Sequence, residues 1–186
     1  MSTPLDQLKS VDLSHLSKSE AKEFTLLLEE LEKREKRESS MASFYDFVKT
    51  IWPEFIAGAH HKKMAEAFDK IANGESKRLI INMPPRHTKS EFASYLFPAY
   101  LLGKRPKLKI IEATHTADLA NNFGRRVRDL IESDDYAEIF PATQLKADSR
   151  SAGKWTTSQG GEYYAAGIGG ALAGRGADLF IIDDPH

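Results

Sequence analysis

The sequence has no cysteine, which excludes a disulfide framework and any zinc site built on thiolates. It has no apolar run near the roughly 20 residues that a membrane-spanning helix needs. Its N-terminus, Met1-Ser2-Thr3-Pro4-Leu5-Asp6, lacks the basic head and apolar stretch of a secretory signal. The expected compartment is therefore the cytoplasm. It also lacks a charge of dominant sign: 26 Lys and Arg stand against 27 Asp and Glu, for a net charge of -1. A uniformly basic nucleic-acid-binding module is excluded. Any DNA contact must come from a local cluster, and two are present: Lys104-Arg105-Pro106-Lys107-Leu108-Lys109 and Arg125-Arg126-Val127-Arg128. Either could serve as a phosphate-tracking patch, but on general grounds solvated helix faces are the commoner reading. There is no internal repeat and no low-complexity tract. An early G-x-G-x-x-G is missing too, which argues against a dinucleotide-binding Rossmann enzyme.

What remains is a chain of 186 residues with the size and apolar content (41%) of one globular domain. Residues 1 to 16 read as a mobile leader. Ser17 and Glu20 have capping-box spacing, and Phe24, Leu27, Leu28 and Leu31 recur at helical spacing. Glu29 with Lys33, Glu30 with Arg34 and Glu32 with Lys36 are favourable i,i+4 pairs. This predicts an amphipathic helix that ends at Ser39-Ser40, either packed on its own domain or serving as a docking helix for a partner. The predicted division is 1–40, leader and helix, and 41–186, the main domain. An aromatic block from Phe44 should form a short helix closed by Pro53, and His60 to Asn73 another. Arg78-Leu79-Ile80-Ile81-Asn82 has strand length. A helix should run from Ser90, bent or ended by Pro98, with Gly103 beyond its second piece. Lys107 to Ala113 and Glu162 to Ile168 read as strands, and Thr116 to Glu132 as a helix with Leu119, Phe123 and Val127 inward. Residues 134–157 read as irregular. Leu179-Phe180-Ile181-Ile182 reads as a buried strand. Alternating strands and helices predict an α/β fold around a largely parallel sheet.

Two motifs carry chemistry. After the first strand candidate comes Met83-Pro84-Pro85-Arg86-His87-Thr88-Lys89-Ser90. Phosphates need backbone N–H donors at a helix start, a mobile ammonium and a hydroxyl for magnesium. Lys89 and Ser90 supply the last two. Met83 and Thr88 stand where the usual G-x-x-x-x-G-K-[ST] pattern has glycines. Pro84 and Pro85 have no N–H, so the cradle falls to the amides of Arg86, His87, Thr88, Lys89 and Ser90. Thr88 is β-branched and resists positive φ, so either the loop keeps φ negative or affinity suffers. Arg86 adds a guanidinium suited to phosphate oxygens. The second motif is Asp183-Asp184 at the end of the last strand, the sheet edge where ligands bind in open α/β folds. One carboxylate can hold magnesium, and the next can orient the attacking water. Together and in this order they predict a P-loop NTPase-type domain (the ASCE/RecA-like kind) with ATP and magnesium as cofactors.

The run from Pro84 to Glu91 resembles the deviant Walker A motif of tailed-bacteriophage terminase large subunits, commonly Pro-Pro-Arg-His-Gly-Lys-Ser. The likeness continues through Ala113-Thr114-His115, Leu119-Ala120, Gly124-Arg125-Arg126-Val127-Arg128, Phe140-Pro141, Trp155 and the glycine-rich 167–176 loop into Ile181-Ile182-Asp183-Asp184-Pro185. It spans roughly residues 50–186. The resemblance implies ATP hydrolysis that drives viral double-stranded DNA into a procapsid in the host cytoplasm. It implies a portal protein, a small terminase subunit and a homo-oligomeric ring as partners. Lys89 would then contact the β- and γ-phosphates and Arg86 would clamp the γ-phosphate. Ser90 and Asp183 would hold magnesium, and Asp184 would be the catalytic carboxylate. Arg175 would be an arginine finger acting in trans, or else a plain loop residue. His60 and His61 fall at the family's adenine-side segment, which makes His61 a nucleotide-binding candidate; a surface histidine pair is the alternative. Thr88 departs from the family's glycine. The family pattern continues into a nuclease domain, so the chain reads as a fragment truncated after its Walker B strand. A helicase-like DNA translocase is the alternative enzyme, and a non-catalytic docking module the alternative outside enzymes.

Overall fold

The computed structural model describes residues 4–11, 15–149, 151–170, 172 and 174–185. Parts of the expected leader (1–3 and 12–14) and of the glycine-rich loop (171 and 173) lie outside the described residues. Within the leader, residues Pro4–Lys9 form helix α1, which Lys9 ties to Glu32 at 2.8 Å. Helix α2, Lys18–Ala42, opens on the expected capping box: Glu20 N–H donates to Ser17 Oγ and Ser17 N–H to Glu20 Oε2. It does not stop at Ser39-Ser40. Ser39 Oγ donates to Asp46 and Ser40 Oγ pairs with Thr50 Oγ1, so both hydroxyls are satisfied within a continuing helix. None of the three expected i,i+4 pairs forms; the ion pair on this helix is Arg34–Glu38. The expected apolar stripe is only partly covered, with Leu27 and Leu31 exposed, as is Leu26 beside it.

Ser43 caps the end of α2 and the start of α3, Phe44–Ile51. Helix α4 is Ala59–Ala72, with Met64, Ala65, Phe68 and Ala72 buried. A π-helical turn, Glu91–Leu96, leads into α5, Phe97–Lys104, with Pro98 in its first turn. Gly103 lies inside α5, not beyond it, because a Cβ there would overlap the Phe140 ring. Strand β1 is Lys109–Thr114 and helix α6 is Ala117–Ile131. In α6 Ala120 is buried and Leu119 is exposed, contrary to expectation. The stretch read as irregular contains α7, Asp134–Ile139, and β2, Lys154–Thr156. Strands β3, Glu162–Gly167, and β4, Leu179–Asp183, complete the set.

The chain is thus α/β, with an open, mixed sheet of order β2-β3-β1-β4 and flanking helices. β3, β1 and β4 are parallel; β2 is antiparallel to β3. In-register partners share a face. Ile110, Tyr163 and Leu179 form one row; Glu112, Ala165 and Ile181 the next; Thr114, Gly167 and Asp183 the last. This face meets the helices in an aromatic core around Phe44, Phe92, Phe97 and Tyr100. The opposite face carries Tyr164, Phe180 and Ile182, and the latter two are 53% and 57% exposed. β4 is therefore an edge strand with alternating burial, not the buried strand its composition suggested. Arg78–Asn82 is not a strand at all. It pairs with no strand among the described residues, leaving Ile80 85% exposed while Ile81 packs on the core. Strand structure needs a ladder partner, and β4 pairs only with β1. Among the described residues, no helix is long and apolar enough to cross a membrane.

Candidate functional site

The loop before the π-helical turn is bent sharply. Arg86 has φ 64° and Thr88 φ 60°, whereas His87 between them is not in the positive-φ region. Alternation of this kind turns successive N–H groups inward, forming a concave anion-binding nest. The amides of Arg86, His87, Thr88, Lys89 and Ser90 donate to no protein acceptor among the described residues. They are the donors the sequence assigned to a phosphate cradle. Of the two alternatives the sequence left open, the loop does not keep φ negative at Thr88, and its side chain shows how the turn is held. Thr88 Oγ1 donates to the His87 carbonyl at 2.6 Å and meets His61 Nε2 at 2.7 Å. A non-glycine residue in this region costs roughly 1–2 kcal/mol, and these bonds hold it there. His87 Nδ1 donates to the Pro85 carbonyl at 2.9 Å, bracing the same turn.

Position 183 meets this loop from the end of β4. Lys89 Nζ lies 3.8 Å from Asp183 Oδ1, although the residues are far apart in sequence. Ser94, on the π-helical turn, donates to Asp183 Oδ2 at 3.1 Å. The buried carboxylate thus has one oxygen toward the ammonium and one held from below. Ser90 sits between the cradle and the π-helical turn with no side-chain partner among the described residues. Asp184 is exposed and has φ 46°, and its carbonyl accepts from His115 N–H at 3.2 Å. Arg86, Thr88 and Asp184 are the non-glycine residues with positive φ among the described residues. All three fall in this one site, as strained backbone tends to.

The structure does not bring every expected residue here. Arg86 is exposed and makes no side-chain contact with the carboxylates. The Arg175 guanidinium lies 3.8 Å over the Tyr164 ring, on the sheet face opposite Asp183. His61 is buried, and both its ring nitrogens are engaged within the protein, by Gly58 N–H and Thr88 Oγ1. Its pKa is lowered by burial first, then by His60 and His87. The basic clusters are largely committed as well. Arg126 forks onto Glu91, 2.9 Å for one arm, and stacks on Tyr95, which raises its pKa. Arg105 donates to the Ala72 carbonyl.

Two residues were missed from sequence. Ser94 gave no signal beyond helical phase. Glu112 did: it interrupts the apolar run Ile110-Ile111-Glu112-Ala113 at the centre of β1. Its carboxyl is fully buried, and neither oxygen has a hydrogen-bond partner. Burial pushes its pKa well up, and the charge on Asp183 adds to the shift; the nearby Ser94 hydroxyl gives its hydrogen to Asp183 instead. The Tyr163 hydroxyl, one row along the same face, is also buried without a partner.

Compared with protein families, curated proteins and solved structures, the chain matches none.

Proposed function

We propose that this chain binds ATP with magnesium and supplies the hydrolytic site of a viral DNA-packaging motor of the terminase large-subunit type. The observation that carries the reading is the juxtaposition of five unpartnered loop amides with Lys89, itself 3.8 Å from the strand-end carboxylate Asp183. An anion cradle, an ammonium and an acid at one sheet edge suit a polyphosphate–metal pair.

The residues present fit such a group. The Ser90 hydroxyl and Asp183 would hold magnesium, which when bound neutralises charge developing on the transferring phosphoryl group. Magnesium commonly takes one or two carboxylates and completes its shell with phosphates and water. It therefore needs no larger acidic cluster, and none of three or more His, Asp or Glu occurs among the described residues. Lys89 exchanges its contact with Asp183 for phosphate oxygens. Ser94 keeps Asp183 turned toward the cradle. Asp184, exposed at the strand end, orients water for in-line attack. Arg86, exposed beside the cradle, would clamp the terminal phosphate. Arg175, stacked on Tyr164 on the far sheet face, serves as an arginine finger for a neighbouring copy in a ring. The packaging role, with double-stranded DNA, portal and small subunit as partners, rests on the motif resemblance.

The test is fluorescent-nucleotide binding with magnesium, on wild type and Lys89→Ala, followed by ATPase assay of Asp184→Asn. Lys89→Ala should weaken binding about tenfold or more, as expected for a charge-assisted contact of ~1.5–3 kcal/mol. Asp184→Asn should bind and not turn over. Equal, poor binding by wild type and Lys89→Ala would overturn the reading. The exposed Leu26, Leu27 and Leu31 of α2 favour the second reading, a non-catalytic docking module, which that outcome would leave standing.

A further inference from the structure

The histidine that the resemblance sets beside the adenine has a different position in the fold. Gly58 N–H lies 2.8 Å from His61 Nδ1. A backbone N–H can only donate, so Nδ1 accepts. A neutral imidazole that accepts at Nδ1 carries its proton on Nε2. That proton points at Thr88 Oγ1, 2.7 Å away. The Thr88 hydroxyl, having accepted, gives its own hydrogen to the His87 carbonyl at 2.6 Å. The bonds thus run in one direction, from the start of α4 through His61 and Thr88 into the phosphate loop. The ring is packed among Phe55, Phe92 and His60, at centroid distances of 4.7, 5.4 and 3.8 Å. It is 5% exposed, and no ring nitrogen is left to read a base.

We propose that His61 is a positioning residue that holds Thr88 in its positive-φ conformation and so keeps the loop amides turned toward the phosphate. The inference rests on the nucleotide reading of the loop. It assigns a reason for threonine at a position where glycine is the conformationally easy choice: glycine has no hydroxyl for the latch to grip. The latch holds only while the imidazole is neutral. A proton on Nδ1 would face Gly58 N–H donor to donor and break the first link. The titratable groups that face the ring are His60 on α4 and His87 on the loop, both of which disfavour its protonation. Nucleotide affinity should therefore hold at neutral pH and fall on acidification below His61's own, lowered, pKa.

The test pairs a structural readout with a functional one. In ¹⁵N NMR of ring-labelled protein, His61 should show the Nε2–H tautomer and titrate below 6.5. An Nδ1–H tautomer, or titration at or above the ordinary value, would overturn the proposal. Fluorescent ADP affinity is then measured for His61→Ala, Thr88→Val, Thr88→Ser and the double variant His61→Ala/Thr88→Val. Each of the first two should weaken binding about tenfold, the loss expected when a buried donor is left unpaired. Thr88→Ser, which keeps the hydroxyl, should stay within about threefold of wild type. The double variant should be no worse than the weaker single one, because both cut one chain. Additive losses would overturn the proposal. Thr88 is on the surface, so its valine variant keeps the test open if His61→Ala fails to fold. If wild type binds no ADP, the nucleotide reading falls, and the tautomer and the titration decide the latch on their own.

Discussion

A glutamic acid in the middle of a sheet, shut off from water and without a hydrogen-bond partner, should make stability depend on pH in a specific direction. Glu112 is such a residue. Burial raises its pKa well above the ordinary 4.5, which means that the folded chain holds a proton the unfolded chain releases. The contribution is fully present below pH 4.5. It is lost as pH rises toward the folded pKa, at about 1.4 kcal/mol per pH unit. Glu112→Gln keeps the shape and removes the titration. Its stability relative to wild type should therefore rise with pH between the unfolded and the folded pKa, at about 1.4 kcal/mol per pH unit, and each kcal/mol is worth roughly 2–4 °C in Tm for a chain of this size. The assay is urea unfolding followed by fluorescence of Trp52 and Trp155, with both proteins measured at several pH values from 4.5 to 7. The slope of the difference is the signal, since it is independent of any constant packing penalty of the amide. A difference that does not change with pH would refute the argument. A variant that loses ground as pH rises would show that Glu112 is ionised and held by a cation.

Two further predictions concern single contacts. Ser94→Ala leaves Asp183 Oδ2 without its donor in a nearly buried position. It should cost about 1–3 kcal/mol in urea unfolding and weaken magnesium-dependent nucleotide binding more than metal-free binding; equal weakening of the two would count against the role given to Ser94. Gly103→Ala forces a methyl group into the Phe140 ring, so thermal unfolding should show a loss of about 1–3 kcal/mol with no change in nucleotide affinity beyond that of stability.

Much of the framework was legible because it depends on local signals. The Ser17–Glu20 capping box, the helix that ends near Asn73 and the apolar phase of β1 each need only a few neighbouring residues. The errors have a common source, which is that they turned on a partner elsewhere in the fold. Ser39-Ser40 looked like a break because nothing nearby in sequence shows that Asp46 and Thr50 will take up their hydroxyls. Arg78–Asn82 has strand composition, yet a strand is made by its neighbour, and none is supplied. Gly103 looked like a helix terminator because the Phe140 ring that demands it is distant in sequence. The site divides in the same way. Lys89, Ser90, Asp183 and Asp184 announce themselves by spacing. The side chains that set their geometry, His61 and Ser94, do so through bonds between residues 27 and 89 positions apart, which no local pattern encodes. Glu112 was the exception, since a lone acid inside an apolar strand is itself a signal.

The loop from Met83 to Ser90 shows how a sequence without the usual glycines can still reach the conformation that glycines permit. Arg86 and Thr88 each sit at positive φ, at roughly 1–2 kcal/mol apiece. Pro84 and Pro85 narrow the unfolded ensemble just before them, worth roughly 0.4–1 kcal/mol each where the fold accepts their fixed φ. The hydrogen bonds from His61 to Thr88, from Thr88 to the His87 carbonyl and from His87 to the Pro85 carbonyl add about 1 kcal/mol each. Strain of about 2–4 kcal/mol is therefore met by about 4–5 kcal/mol of local restraint. A glycine loop reaches the same shape without strain but must be ordered by its ligand, which lowers affinity by the entropy lost. A proline–threonine loop is already ordered, so its cradle is formed before phosphate arrives. The consequence is a division of labour: the amides from Arg86 to Ser90 are fixed by the fold, while the exposed Arg86 side chain and the Lys89 ammonium, held to Asp183 at only 3.8 Å, are the parts left to move on binding.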